Sequence, residues 1–142
     1  MKRKLSLSVV ILCTSILTGT STLAGDDVES STATIEVKAA SDFVAQDENA
    51  VILDVRTPLE FQASHISGAV NVNVQDESFE SMVAALDPQK TYIVHCTKNP
   101  VDGRSSRALE TLERPGFKHL YSLEGGYVAR KEAELPLTEE TN

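Results

Sequence analysis

Two short runs stand out because they lack a polar face. Residues 50–55 read AVILDV and residues 91–96 read TYIVHC. Runs of this kind, too short for a buried helix, mark central parallel strands covered on both sides. Weaker strand patterns occupy 34–37 (TIEV), 68–74 (GAVNVNV) and 118–123 (KHLYSL). Helical patterns fall between them. Residues 41–46 follow a Ser41 or Asp42 cap, and 57–64 open on Thr57 as a cap with Pro58 at the first helical position. In 77–87 the apolar residues Phe79, Met82, Val83 and Leu86 keep helical spacing. Residues 104–116 form a helix stopped by Pro115 and Gly116, and 125–135 form a last one. Strands alternating with helices predict an α/β fold, a central parallel sheet with helices on both faces. Ligands in such sheets bind at the carboxyl ends of the strands. Cys96 and Asp54 both stand at such ends.

The N-terminus follows a different rule. MKRK supplies three positive charges, an apolar run of about a dozen residues follows, and TGTSTLAG is small-residue rich. The run has the length of a signal-peptide core and is short for a membrane span. Thr22 and Ala24 suit cleavage after Ala24, with Gly25 the competing site. Residues 1–24 are therefore expected to be a signal peptide, and the protein to be periplasmic or secreted. An uncleaved anchor is the alternative. Ile11 and Leu12 before Cys13 are not the small residues that lipidation wants. Residues 25–33 are acidic and Ser/Thr-rich and read as a disordered linker. The folded domain is expected over 34–137, with 138–142 a polar, frayed tail.

Composition narrows the function. Acidic residues outnumber basic ones, 21 to 13, so the chain lacks the basic face of a nucleic-acid binder. Loss of Lys2, Arg3 and Lys4 with the signal takes the formal charge from −8 to −11. That charge favours solubility as a monomer and disfavours anionic membrane surfaces. Cleavage would also leave Cys96 as the only cysteine, with no partner for an internal disulfide. A lone buried thiol is often inert, so its surroundings must argue for reactivity.

They do. After Cys96 the chain turns through TKNPVDG into a helix beginning near Arg104. Helix-start and turning-loop N–H groups lack internal partners and form an anion nest. A thiolate placed there is stabilised. Arg104 offers a planar fork suited to oxyanions, Lys98 a second charge, and Gly103 freedom for the turn. The arrangement suits a thiolate nucleophile together with a receptor for the anion it attacks. Asp54, Arg56 and Glu60 suit a structural network of caps and ion pairs after the second strand. His95 either tunes Cys96 or faces away from it. His119 is expected on the surface. The three histidines and Cys96 are too scattered for a metal site, and no P-loop pattern appears. The run ARKEAEL reads as the solvated face of the last helix.

Three segments in order resemble a rhodanese-like domain across roughly residues 35–137. VILDVRTPLEFQASHISGAVNV resembles the leading signature. YIVHC with GRSSRAL resembles the active-site strand, loop and helix. GFKHLYSLEGGYVARKEAELPL resembles the closing segment with its glycine pair. The resemblance implies a sulfurtransferase without metal or organic cofactor. Cys96 would take a sulfane sulfur from a donor such as thiosulfate and pass it, as a persulfide, to a thiol or cyanide acceptor. Arg104 and Ser105 would match the Arg-Ser that closes the family's loop, and His65 would be architectural. The seven residues between Cys96 and Arg104 make a longer loop than the family's usual one. Within it Pro100 removes a donor, and Asp102 replaces a glycine and must point away from the sulfur. Arg130 stands where the family often carries Trp, a difference expected to bear on packing. The long loop and His95 keep two competitors open. One is a thiolate phosphatase or arsenate reductase, with Asp102 the available general acid. The other is a non-catalytic binding module.

Overall fold

The computed structural model describes residues 32–100 and 103–139. The expected signal peptide, most of the linker, Asp102 and the last residues of the tail lie outside them.

Among the described residues twelve short elements follow one another. They are β1 (Ala33–Ile35), α1 (Val37–Gln46), β2 (Ala50–Asp54), α2 (Pro58–Ala63), β3 (Ser64–Ile66), β4 (Val70–Asn71), α3 (Phe79–Ala84), β5 (Thr91–His95), α4 (Arg104–Glu113), β6 (Leu120–Leu123), α5 (Gly126–Glu132) and β7 (Leu137–Glu139). Five strands form one wholly parallel sheet in the order β1-β6-β5-β2-β4. β3 and β7 form a separate antiparallel pair. The two unbroken apolar runs are the sheet's central strands, β2 and β5, hydrogen-bonded in register from Ala50 opposite Thr91 to Asp54 opposite His95.

Strand alternation divides the core between the two faces. Leu53, Val55, Tyr92, Val94 and Cys96 belong to one cluster with Phe79 and Val83 of α3 and Ala108, Leu109 and Leu112 of α4. Ile52, Ile93 and Leu123 belong to the other, with Ala40 of α1 and Ile66 of β3. Cys96 and His95 therefore face opposite sides of the sheet.

Four local expectations need correction. α1 begins at Val37, not at Ser41 or Asp42, and its N-cap Glu36 makes no side-chain cap bond. Val37, Ala40 and Val44 pack on the second cluster at helical spacing, so burial fixes the start. The strand expected over 68–74 shrinks to Val70–Asn71. Thr138 and Glu139, expected to fray, pair with His65 and Ser64 in the β3–β7 ladder. Finally, Arg130 is not on a solvated face. It is 5% exposed, and among the described residues its one hydrogen bond is a long one, 3.5 Å, to the Val37 carbonyl.

Candidate active site

β5 delivers Cys96 to the carboxyl edge of the sheet, beneath the loop and against the start of α4. Its Sγ lies 3.5 Å from the Ser105 hydroxyl. Cys96 is 3% exposed and Ser105 1%. Burial pushes the thiol pKa up, but the Ser105 hydroxyl and the backbone N–H groups of Ser105, Asn99 and Lys98 outweigh it and bring the pKa below that of an ordinary thiol. Lys98 thus contributes through its main chain, since its side chain is exposed. Donors converge on the sulfur, as a thiolate nucleophile requires.

The Cys96 and Thr97 carbonyls are held by α5. Tyr127 N–H of α5 donates to the Cys96 carbonyl and Val128 N–H to that of Thr97, each at 3.0 Å. This close approach of helix to loop explains the glycine pair. A Cβ on Gly126 would lie 2.6 Å from the Cys96 carbonyl oxygen, and Gly126 and Gly125 both have positive φ, +60° and +64°. The ends of the long loop's second half meet where Gly103 N–H donates to the Pro100 carbonyl at 2.9 Å. A Cβ on Gly103 would meet the Pro100 ring at 2.7 Å, so this close approach requires the glycine.

Arg104 is close to the thiol in sequence but engaged elsewhere. Its NH1 and NH2 donate to Glu60 at 2.6 and 2.9 Å, and NH2 also donates to the Thr97 hydroxyl at 2.8 Å. Thr97 donates in turn to Glu60 at 3.1 Å. The Arg104 guanidinium holds the Glu60 carboxyl well below the usual carboxylate range. Arg104 is therefore a clamp between the loop and α2, not a free fork above the sulfur. Thr57 caps α2 as expected, and Glu60 completes a capping box with it.

Glu60 stands apart from the network it was expected to join. That network is a buried pair, with Arg56 donating to Asp54 through Nε at 3.0 Å and NH2 at 2.6 Å. The guanidinium also lies 4.2 Å from the centre of the Tyr127 ring. His95 sits behind this pair, its Nε2 3.7 Å from Asp54 Oδ2 and its Nδ1 3.1 Å from the Cys96 carbonyl. Burial pushes the His95 pKa down, so the ring is neutral. It touches the cysteine's main chain and not its thiol. His65 bonds the Phe61 carbonyl at 2.8 Å, an architectural contact. His119 is exposed. Among the described residues no three His, Cys, Asp or Glu side chains converge as metal ligands.

Asn99 was not foreseen. Nothing in its sequence surroundings distinguishes it from a turn residue, and only the fold brings its carboxamide under Cys96.

A parallel α/β domain with a buried, donor-surrounded cysteine at a strand's carboxyl end defines a class of proteins suited to thiolate chemistry. This chain belongs within it to the rhodanese-like family, whose domain model matches residues 37–133. It is 38% identical over 79 residues to the thiosulfate sulfurtransferase GlpE of Stutzerimonas stutzeri, covering 55% of this chain and 67% of that protein. It is 33% identical over 114 residues to the mitochondrial protein HIGH ARSENIC CONTENT 1 of Arabidopsis thaliana, covering 73% and 62%. The chain spans 51% to 67% of the length of the first curated relatives it matches. The rhodanese-related protein of Thermoplasma volcanium shares the fold, with a TM-score of 0.64 at 24% identity over 76% of this chain and 99% of that one.

Proposed function

We propose that the protein is an exported sulfurtransferase whose rhodanese-like domain carries sulfane sulfur on Cys96. The observation that carries this reading is the buried thiol with its lowered pKa, facing hydroxyl and amide donors. The thiolate attacks the outer sulfur of thiosulfate. The new bond joins Sγ to that sulfur, the old S–S bond breaks, and sulfite leaves with its electron pair. A persulfide anion remains among the same donors. A thiol or cyanide acceptor then takes the outer sulfur and restores the thiolate. Neither half needs a leaving group to be protonated, so no general acid is required. Cleaving a phosphate ester, in contrast, calls for a general acid on the leaving oxygen. Glu60, the described acid that reaches the loop, is held as a carboxylate by Arg104 and Thr97, which favours sulfur transfer over phosphate-ester chemistry.

Mass spectrometry of the intact protein tests the reading. After incubation with thiosulfate, wild type should gain one sulfur, lose it on addition of cyanide, and show no gain in Cys96→Ala. A reduced, folded wild type that gains nothing would remove thiosulfate as the donor. Export rests on the N-terminal pattern alone. The protein recovered from outside the cytoplasm should begin near Gly25, and a full-length chain retained inside would end that proposal.

A further inference from the structure

The loop between Cys96 and Arg104 has seven residues, and its first half is fixed by one side chain. Asn99 Oδ1 accepts the Cys96 N–H at 2.6 Å. Its Nδ2 donates to the Leu123 carbonyl at 2.7 Å and the Val94 carbonyl at 3.2 Å, with the Ser122 hydroxyl at 3.3 Å. Those partners lie on β5 and β6 and on the residue that begins the loop. The carboxamide spends both hydrogens and its acceptor on them. The backbone of Asn99 is left-handed, with φ +48°, a conformation asparagine tolerates better than most residues. Two features therefore meet at this position: a backbone that turns the Lys98 and Asn99 N–H groups toward the sulfur, and a side chain that locks that turn to the sheet.

We infer that Asn99 is the positioning residue for Cys96, whose carboxamide holds the loop so that its amides face the sulfur. This rests on the sulfur chemistry proposed above only for its consequence, since reactivity of the thiol is measurable without any sulfur donor. The alternative is that asparagine is present solely to permit the left-handed turn. Two substitutions separate these roles. Asn99→Gly keeps the backbone conformation and deletes all the bonds. Asn99→Asp keeps the shape, but the carboxylate has no hydrogen for the Leu123 and Val94 carbonyls and places a negative charge beside the thiolate.

The experiment is the pH profile of Cys96 alkylation by iodoacetamide, run on wild type and both variants, with thermal melts alongside. Both variants should shift the profile to higher pH. A rise of about one pH unit means about tenfold slower alkylation at pH 7. A profile of Asn99→Gly that superimposes on wild type overturns the inference, because the carboxamide would then be dispensable. If Asn99→Gly melts too low to assay, the comparison is repeated in sucrose, which favours the folded state, because the charge on Asn99→Asp shifts the profile by itself. Sulfur loading from thiosulfate is measured in parallel. A shifted profile beside a wild type that takes no sulfur would leave the positioning role standing and defeat the proposed donor. An unshifted profile beside a loading wild type would do the reverse.

Discussion

Asp54→Asn is expected to destabilise the domain by about 3–5 kcal/mol, the range for stranding one partner of a buried ion pair. Asp54 is 0% exposed and Arg56 3%. The carboxylate takes hydrogen bonds from the Arg56 main-chain N–H and from both Nε and NH2 of its side chain. An amide of the same shape fits, but it cannot balance the guanidinium and must oppose donors with an N–H2. The Ser64 carbonyl and the Tyr127 ring remain as partners, and neither supplies a full charge. Urea denaturation should show a lower midpoint with an unchanged slope. The double variant Asp54→Leu/Arg56→Met should recover much of the loss, since apolar residues of similar volume can replace a buried pair at little cost. Equal stability of Asp54→Asn and wild type would show that water reaches the pair.

The second large effect is expected at Gly126, and it falls on rate. Alanine there is forced either to keep a left-handed φ, at about 1–2 kcal/mol, or to move. Its Cβ would meet the Cys96 carbonyl oxygen at 2.6 Å, the Asn99 Oδ1 at 3.0 Å and the Lys98 nitrogen at 3.1 Å. All three belong to the loop that aims donors at the sulfur. Relief of the contact displaces the loop, and a displacement on the order of 1 Å at a reacting group costs about a hundredfold in rate. Gly126→Ala should therefore lower kcat/KM for thiosulfate about a hundredfold, with a stability loss far smaller than that of Asp54→Asn. A rate within twofold of wild type would mean that the loop yields without disturbing the thiol.

The central strands and the position of the thiol were legible because burial on both faces leaves an unbroken apolar run, and such runs are β2 and β5. Thr57 and Pro58 announced α2 through bonds made within four residues. What stayed hidden depended on contacts distant in sequence. Ser64–Ile66 form a strand only because Leu137–Glu139 return to pair with them. Glu60 looks like one more acid after β2 until α4 brings Arg104 beside it, 44 residues later. Arg130 sits in a charged run whose composition argues for solvent, while its place on α5 buries it. Asn99 reads as a turn former, and its role appears only when β5 and β6 supply the carbonyls it joins. Alternation along β5 was a sound guide to His95, placing the ring on the face away from the thiol.

The two N–H groups of α5 that hold the Cys96 and Thr97 carbonyls have an electrical consequence. They fix the direction of the peptide units around the sulfur, so the positive ends of those dipoles point inward whatever charges the surface carries. A strongly acidic protein can thus favour a negatively charged sulfur through N–H dipoles, in addition to the Arg104 charge that acts on it. The field at the sulfur is set by the main chain and the buried Ser105 hydroxyl, out of reach of drifting surface side chains.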